Sequence, residues 1–388
     1  MTARAAKGLR PASTSFVRPE RLIATEPAEV RGVARDEVRL LVATAGTVTH
    51  TTFRSIAGRL SPGDLVVVNT SATAAAALSG TRSDGREVAV HVSGPLPDHL
   101  YAVELRCLDG SCRVLDGRVG EAIRLAGGGA LTLQAAYPGR AVTTGSRLWR
   151  GAFTLAAAVP EHLARHGRPI SYGHGSRRWP LAAYQTVFAQ PTPWMPSAEM
   201  PSAEMPSAEM PSAEMPSAEM PSAEMPSAEM PSAGRPFTDR VVTSLVVAGV
   251  QVAPVTLHTG VSSLEADEQP MPERFSVPAP TARLVNQTLA SGGRIVAVGT
   301  TVTRALETVA ASDGTLHAAS GWTDLVLGPD RPTRAVTGLV TGWHDPRASH
   351  LLLLEAVAGA PLVQRAYDEA VAVGYLWHEF GDSALLLP

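Results

Sequence analysis

Polar residues that could bind a ligand or move a proton follow three apolar, strand-like segments of the chain. His258 directly follows one segment, His344 stands three residues beyond another, and Gly299-Thr300-Thr301 joins a third to a helical pattern. Neighbouring parallel strands place their carboxyl ends at one edge of a sheet, where open α/β folds bind ligands. We therefore expect these three groups to share a site.

The Gly299-Thr300-Thr301 turn has a composition that suits anion binding. Glycine lets the backbone approach a ligand closely, and threonine hydroxyls with free N–H groups at a helix N-terminus attract a carboxylate or phosphate. Arg304, one helical turn further on, would add positive charge. An ordinary strand-to-helix turn that is capped by threonine explains the same residues equally well.

His258 and His344 are the candidates for proton transfer. A lone histidine is more often structural than catalytic, but two at equivalent strand ends favour a function for at least one. No third His, Cys or carboxylate stands at a ligand-like spacing, so we expect no metal. Tyr184 and Gln185 interrupt an apolar segment; a binding role and a buried, hydrogen-bonded tyrosine are both open.

The elements that must position these residues alternate between strands and helices from Thr238 onward. Thr238 is a helix-capping residue type, and its helix is expected to run to Ala248 before Gly249. Strand patterns at 250–257, 294–298 and 335–341 alternate with helical patterns at 281–291, from 302, and over 348–373. This alternation predicts an α/β fold with a mainly parallel sheet and flanking helices.

Residues 86–150 differ in kind. Short alternating stretches such as Glu87–Val92, Tyr101–Arg106 and Ala130–Ala135 are separated by glycine and aspartate turns. This spacing predicts a small antiparallel β-barrel or sandwich. We expect a disordered tail over 1–19, an α/β domain formed by 20–69 with 152–388, and an inserted barrel domain over 70–151.

Residues 195–233 repeat Met-Pro-Ser-Ala eight times, with one Glu between successive copies. Proline at every fifth position excludes a helix or a central strand, and a period of five matches neither element. We therefore expect a coil that takes no part in a packed core. The net charge of −3 divides into −7 for the run and +4 for the remainder, since its seven Glu meet no Lys or Arg there.

The remaining composition favours a cytoplasmic protein. The first twenty residues lack the continuous apolar stretch of a secretory signal, and no apolar run approaches the ~20 residues of a membrane span. Cys107 and Cys112 are the two cysteines, and we expect free thiols in a reducing compartment. The chain has no dense stripe of basic residues that would argue for nucleic-acid binding. The oligomeric state is open.

The motifs, taken in order, resemble the S-adenosylmethionine:tRNA ribosyltransferase-isomerase family of queuosine biosynthesis. The matching segments are Leu22-Ile23-Ala24, His50 to Phe53, Gly63-Asp64-Leu65, Tyr184-Gln185-Thr186-Val187, Thr256-Leu257-His258, Val298-Gly299-Thr300-Thr301 through Arg304 to Glu307, Leu339-Val340-Thr341 with His344 and Pro346, and Phe380-Gly381-Asp382. The resemblance implies an α/β domain with an inserted β-barrel. It also implies transfer of the ribosyl part of S-adenosylmethionine to 7-aminomethyl-7-deazaguanine in tRNA, giving epoxyqueuosine, with no metal.

The resemblance also implies roles for individual residues. His258 or His344 would move protons, and S-adenosylmethionine, as co-substrate, would be bound by Gly299, Thr300, Thr301, Arg304, Tyr184, Gln185, Ser232 and Gly234. The last copy of the repeat supplies Pro231-Ser232-Ala233-Gly234 where the family has Pro-Thr-Ala-Gly. The other seven copies therefore resemble a tandem expansion of one functional loop, whose added length costs only ~2 kcal/mol of chain entropy.

The chain also departs from the family pattern. Asn69-Thr70-Ser71 and the alanines after it lack two arginines of the family, and Pro236 and Pro272 stand where the family has histidines. The chain is thus a diverged member, and two alternatives stay open. One is an enzyme that uses S-adenosylmethionine or another nucleoside on a non-tRNA substrate. The other is a non-catalytic RNA- or nucleoside-binding relative.

Overall fold

A computed structural model describes residues 11–138, 145–172, 178–191, 225–261 and 271–388. The strands are β1 Arg39–Thr44, β2 Val48–Thr52, β3 Leu65–Asn69, β4 Ala77–Thr81, β5 Glu87–Pro95, β6 Tyr101–Cys107, β7 Ala122–Leu125, β8 Ala130–Ala136, β9 Leu148–Thr154, β10 Gln251–Leu257, β11 Glu273–Val277, β12 Ile295–Val298, β13 Ala319–Thr323, β14 Gly338–Thr341 and β15 Ser383–Leu387. The helices are α1 Val159–His166, α2 Asp239–Val247, α3 Ala279–Ala290, α4 Gly299–Val309, α5 His350–Ala358 and α6 Ala360–Val373. None of the helices in these ranges is long and apolar enough to cross a bilayer.

One sheet of the described chain has nine strands in the order β13-β11-β10-β3-β12-β14-β15-β1-β2. Its pairs β10·β3, β3·β12, β12·β14 and β15·β1 are parallel, and the other four are antiparallel. The α/β sheet with an inserted barrel is confirmed, but the sheet is mixed rather than mainly parallel. Two helices separate β14 from β15, so the chain traverses the sheet twice and enters β15 from the end at which it left β14. Alternation of strands and helices did not reveal this reversal.

The centre of the sheet is apolar on both faces. All five residues of β3 and all four of β12 are buried, as expected for central strands that helices cover on both sides. Asp64 fixes the start of β3, because its carboxylate accepts the backbone N–H groups of Ser61 and Arg294 and pairs with the Arg294 guanidinium. This contact gives the Gly63-Asp64-Leu65 motif a structural role at the sheet edge opposite the predicted site.

The second part is a closed barrel in which β4, β5, β6, β9, β8 and β7 follow one another. It lies in the chain between β3 and α1, as the alternating stretches predicted. Cys107 and Cys112 form a disulfide across the turn after β6, so the expectation of free thiols is wrong. The two cysteines stand at opposite ends of a tight turn, in which the Cys107 N–H donates to the Cys112 carbonyl at 2.8 Å.

The last copies of the repeat are packed into the protein, which corrects the expectation that the run takes no part in a core. Met225, Ala228, Met230 and Ala233 are at most 7% exposed. The chain there forms no strand or α-helix, and only Ser232–Gly234 makes a 3-10 turn. The period-five pattern excluded regular elements, but irregular backbone can be buried when other segments satisfy its hydrogen bonds. Residues 195–224 lie outside the described ranges.

The N-terminal segment is ordered earlier than expected. Thr14 is 3% exposed and donates its N–H and hydroxyl to the buried Glu355 carboxylate. The Phe16 ring packs against the Tyr367 ring, with 4.7 Å between the ring centroids. The prediction of a disordered tail over 1–19 is therefore wrong for the part that the structure describes, from residue 11 onward, and residues 1–10 lie outside the described ranges. The composition of the segment, which is short of acidic residues, gave no sign that Thr14 is buried or that Phe16 packs against Tyr367.

We expect the six copies over residues 195–224 to be dispensable for stability. Gln190 N–H donates to the Thr70 carbonyl and Ser227 N–H to the Ala72 carbonyl, each at 2.9 Å, so both ends of the run are anchored to the same short segment. Deletion of 195–224 should raise the free energy of unfolding by up to about 2 kcal/mol, because a shorter loop costs less entropy. Urea denaturation measures the change.

Deletion of residues 195–229 is the matched comparison, because it also removes Met225, Ser227 and Ala228 from their buried places. We expect this variant to lose about 3 kcal/mol or more. Equal stabilities of the two deletion variants would show that packing of the last copies contributes nothing.

Candidate functional site

A cavity of about 260 Å³ lies at the carboxyl ends of β12 and β14. Six of the predicted site residues line it: Gly299, Thr300, Thr301, Arg304, His344 and Ser232. Its walls also include the end of the repeat and the loop before β15. These six residues thus line one space, whose volume is close to the lower limit of roughly 300 Å³ that is common for small-molecule sites; their roles in binding stay a prediction.

Glycine is required at position 299. Its φ of +89° is strained for any residue that has a side chain, and an added Cβ would lie 3.3 Å from the Ala233 Cβ. Ala233 belongs to the last copy of the repeat, so that copy packs directly against the turn that begins α4. Thr300 and Thr301 then stand at the N-terminus of an eleven-residue helix, with their side chains on the cavity wall.

Arg304 does not present a free cation. Its guanidinium pairs with the Glu273 carboxylate and donates to the carbonyls of Thr323 and Leu325 at 3.3 and 3.2 Å. The predicted positive charge is therefore already neutralised on the cavity wall. The sequence could not show this pairing, because Glu273 lies 31 residues earlier in the chain, on β11.

His344 is held as a neutral imidazole. Burial, with the neighbouring His350 and His378, lowers the pKa of His344 well below its usual value. Its Nε2 lies 3.1 Å from the Thr341 hydroxyl, which itself donates to the Gly342 carbonyl at 3.0 Å. A hydroxyl has one proton, so Nε2–H donates to Thr341 and Nδ1 keeps its lone pair. His344 is thus able to accept a proton at Nδ1.

His258 does not share this cavity. It lines a neighbouring cavity of about 450 Å³ between the sheet and the barrel, together with Tyr101, Tyr137 and Trp322. Two strands, β3 and β12, separate β10 from β14, so residues at equivalent strand ends face different spaces. The two cavities share the wall that Gly260, Met271 and Glu273 form, and they are therefore adjacent.

Ser227 and Ser71 form a hydrogen-bond chain to His258 that the sequence did not reveal. The Ser227 hydroxyl donates to the Ser71 hydroxyl at 2.7 Å, and Ser71 Oγ lies 2.8 Å from His258 Nδ1. The Thr259 N–H donates to Ser227 Oγ at 3.0 Å. Low complexity hid Ser227, since an identical serine occurs in every copy of the repeat.

Three predicted binding residues lie outside both cavities. The Gln185 side chain is bonded to the backbone N–H and carbonyl of Thr73 at 3.0 and 2.9 Å. Tyr184 packs 5.1 Å from the Phe380 ring, and burial raises its pKa. Gly234 packs behind the cavity wall, nearest to the Thr186 side chain. The structure thus places these residues as supports of the walls.

Four acidic residues line the first cavity, and none of them was predicted as a site residue. Glu273 pairs with Arg304 and Asp345 with Arg18, and the other two are Glu229 and Glu379. Glu229 comes from the joint between the last two copies of the repeat, and Glu379 from the loop before β15. The Tyr172 hydroxyl donates to Glu229. Partial burial and the nearby Glu229 raise the pKa of Glu379 to about 8, against the effect of Arg235. No motif that we recognised contains either position.

Comparison with known proteins gives a consistent set of relatives. The family model described as queuosine biosynthesis protein matches residues 12–225 and 220–386. S-adenosylmethionine:tRNA ribosyltransferase-isomerases of Acidiphilium cryptum and Geobacter sulfurreducens are 34% and 31% identical, over 95% of this chain and 96% and 97% of theirs. A crystal structure of S-adenosylmethionine tRNA ribosyltransferase from Thermotoga maritima is 26% identical, with a TM-score of 0.49, over 96% of this chain and 99% of that one.

Replacing Ser227 or Ser232 by alanine should distinguish a serine that stabilises the fold from one that only lines the cavity. The two serines occupy the same place in successive copies, but Ser227 is fully buried and Ser232 lines the first cavity. Ser227→Ala leaves buried polar groups unsatisfied, and we expect a loss of about 1–3 kcal/mol of unfolding free energy. Ser232→Ala should stay within about 0.5 kcal/mol of wild type. Urea denaturation measures both; equal losses would contradict the distinction.

Proposed function

The chain belongs to the S-adenosylmethionine:tRNA ribosyltransferase-isomerase family, and we propose that it moves the ribosyl part of S-adenosylmethionine onto 7-aminomethyl-7-deazaguanine in tRNA. Epoxyqueuosine is the product, and adenine and methionine leave. The observation that carries the proposal is the cavity at the ends of β12 and β14, which is lined by a helix N-terminus and a neutral histidine.

The first cavity suits the co-substrate. The hydroxyls of Thr300 and Thr301, at the positive end of the α4 dipole, would hold the methionine carboxylate. Glu229 adds negative charge to the same cavity, which favours a ligand that carries a sulfonium and an ammonium. Arg304 contributes through its pair with Glu273 and fixes β11 against α4. Ser232 also lines this cavity and supplies a further hydroxyl.

His344 would act as the base. A proton on the ribose carbon next to the sulfonium is acidified by that positive charge, and a neutral imidazole with a free Nδ1 lone pair is able to accept it. The lowered pKa keeps His344 deprotonated through neutral pH. The activity that depends on this base is therefore present at pH 7 and is lost only when the pH falls through the low pKa.

The neighbouring cavity suits the acceptor nucleotide. The rings of Tyr101, Tyr137 and Trp322 offer surfaces on which a base can stack. His258 stands on the same cavity and would accept a proton from the attacking amine. The wall that the two cavities share would bring the amine and the ribosyl carbon together. A tRNA acceptor also favours a cytoplasmic location, and the absence of a metal from the reaction stays our expectation.

Product analysis tests the proposed function. Wild-type protein with S-adenosylmethionine and tRNA that carries 7-aminomethyl-7-deazaguanine should release adenine and methionine in equal amounts, and mass spectrometry should detect epoxyqueuosine in the tRNA. The control is tRNA with an unmodified guanine, which should release neither. Adenine release that ignores the tRNA base would favour a non-tRNA substrate, and no release would contradict enzymatic activity.

Alanine variants should separate the roles of the two histidines. His344→Ala removes the base and should lower kcat by about 10²–10⁴-fold without a large change in affinity for S-adenosylmethionine. His258→Ala acts in the acceptor cavity, so we expect the KM for tRNA or kcat to change while the dissociation constant of S-adenosylmethionine stays within about threefold. Steady-state kinetics and calorimetry measure these values; full activity of both variants would refute the assignment.

A further inference from the structure

Glu379 occupies a place that suits a proton donor. Its side chain lines the first cavity and also a small side cavity of about 10 Å³, which is about the room that one water molecule needs. Among the described residues, no donor lies within hydrogen-bonding distance of its carboxyl group. A carboxyl group that faces a ligand-sized space without a fixed hydrogen bond is available to a bound molecule.

The groups around Glu379 explain why it keeps its proton. Glu229 faces it from the repeat, and the Tyr172 hydroxyl stabilises the Glu229 carboxylate by hydrogen bonding. Arg235 is the cation that opposes the rise in the pKa of Glu379, but its guanidinium is engaged by Glu29 and by the Ala183 carbonyl. The other two carboxylates on this cavity, Glu273 and Asp345, pair with Arg304 and Arg18. Of the four, Glu379 is the one for which the described residues supply neither a hydrogen-bond donor nor a cation partner, so it takes the proton. Arg31 donates to the Phe380 carbonyl on this loop, and Tyr184 packs against Phe380. The other titratable groups on the two cavities that Glu379 lines are Arg35, Glu273, Arg304, His344, Asp345, His350, His378 and Asp382.

We propose that Glu379 donates the proton that adenine takes up when it leaves the ribosyl group. The inference rests on the proposed function and adds a catalytic residue to it. The bond between the ribosyl carbon and adenine nitrogen breaks, its electron pair stays with adenine, and the Glu379 proton moves to that nitrogen. The electron pair that the ribosyl group gains when His344 removes its carbon-bound proton balances the pair that leaves with adenine. Neutral adenine and a Glu379 carboxylate result.

His344 and Glu379 then form an acid–base pair across one cavity. The environment lowers the pKa of His344 and raises that of Glu379 to about 8, and such divergence is typical of groups with opposite roles in proton transfer. His344 gains the proton that comes from the ribose carbon, and Glu379 loses one to adenine. After each turnover, proton exchange with solvent returns His344 to its neutral form and Glu379 to its protonated form. For Glu379 this exchange would pass through the side cavity.

The first test is the variant Glu379→Gln, which keeps the size of the side chain but removes the acid. We expect kcat for adenine release at pH 7 to fall by at least tenfold, with the dissociation constant of S-adenosylmethionine within threefold of wild type. Glu369→Gln is the matched control, because Glu369 is an exposed glutamate that pairs with His50. The control should retain wild-type kcat, and thermal unfolding should show that both variants are folded.

The pH profile gives a readout that a merely structural role would not change. Wild-type kcat should fall as the pH rises through about 8, since Glu379 loses its proton there, and Glu379→Gln should lack this fall. Glu229→Gln removes the like charge, so the fall should move to lower pH. A wild-type profile that stays flat to pH 10 would overturn the assignment even if no Glu379 variant folded.

A co-substrate analogue with 8-azaadenine, whose base leaves more readily as an anion, completes the test. The defect of Glu379→Gln should shrink by at least threefold with this analogue, because its base needs less protonation. An undiminished defect, or wild-type kcat in Glu379→Gln, would overturn the inference and leave the proposed function intact. If wild-type protein releases no adenine from S-adenosylmethionine in the presence of the modified tRNA, both the inference and the proposed function are overturned.

Discussion

The hydrogen bonds of Ser227 hold together the segments on which both cavities depend. Its backbone N–H donates to the Ala72 carbonyl, its hydroxyl donates to Ser71, and the same oxygen accepts the Thr259 N–H. These contacts join the chain after β3, the chain after β10 and the end of the repeat. The residues that follow, from Glu229 to Ala233, then form a wall of the first cavity, and His258 is oriented in the second.

The repeat therefore has two physical characters within one sequence. Proline and the five-residue period prevent regular elements, but the described copies are buried because neighbouring strand ends satisfy their backbone groups. Burial also changes the surroundings of Glu229, the glutamate that joins the last two copies. In the sequence, Glu229 is one of seven equivalent glutamates. In the structure, it accepts a hydrogen bond from the Tyr172 hydroxyl and faces Glu379 inside a cavity. Position in the fold, not residue type, assigns the function.

Much of the fold and part of the site could be predicted from the sequence. The change in residue pattern near residue 86 predicted the barrel, and the apolar runs that end in Gly299-Thr300-Thr301 and before His344 predicted the edge of the sheet at which the first cavity lies. The direction of β15, the ion pair of Arg304 with Glu273 and the separation of His258 from His344 could not be predicted. Each depends on which strands become neighbours, and pairing between distant segments leaves no local signal. The disulfide and Glu379 were missed for the same reason.

The central claim is that the cavity at the ends of β12 and β14 binds S-adenosylmethionine. A crystal structure of the protein with S-adenosylmethionine tests it most directly. We expect the ligand inside this cavity, with its carboxylate at Thr300 and Thr301, its ribose within reach of His344 Nδ1 and its adenine within hydrogen-bonding distance of Glu379. A ligand bound outside this cavity, or an adenine that faces away from Glu379, would contradict the account.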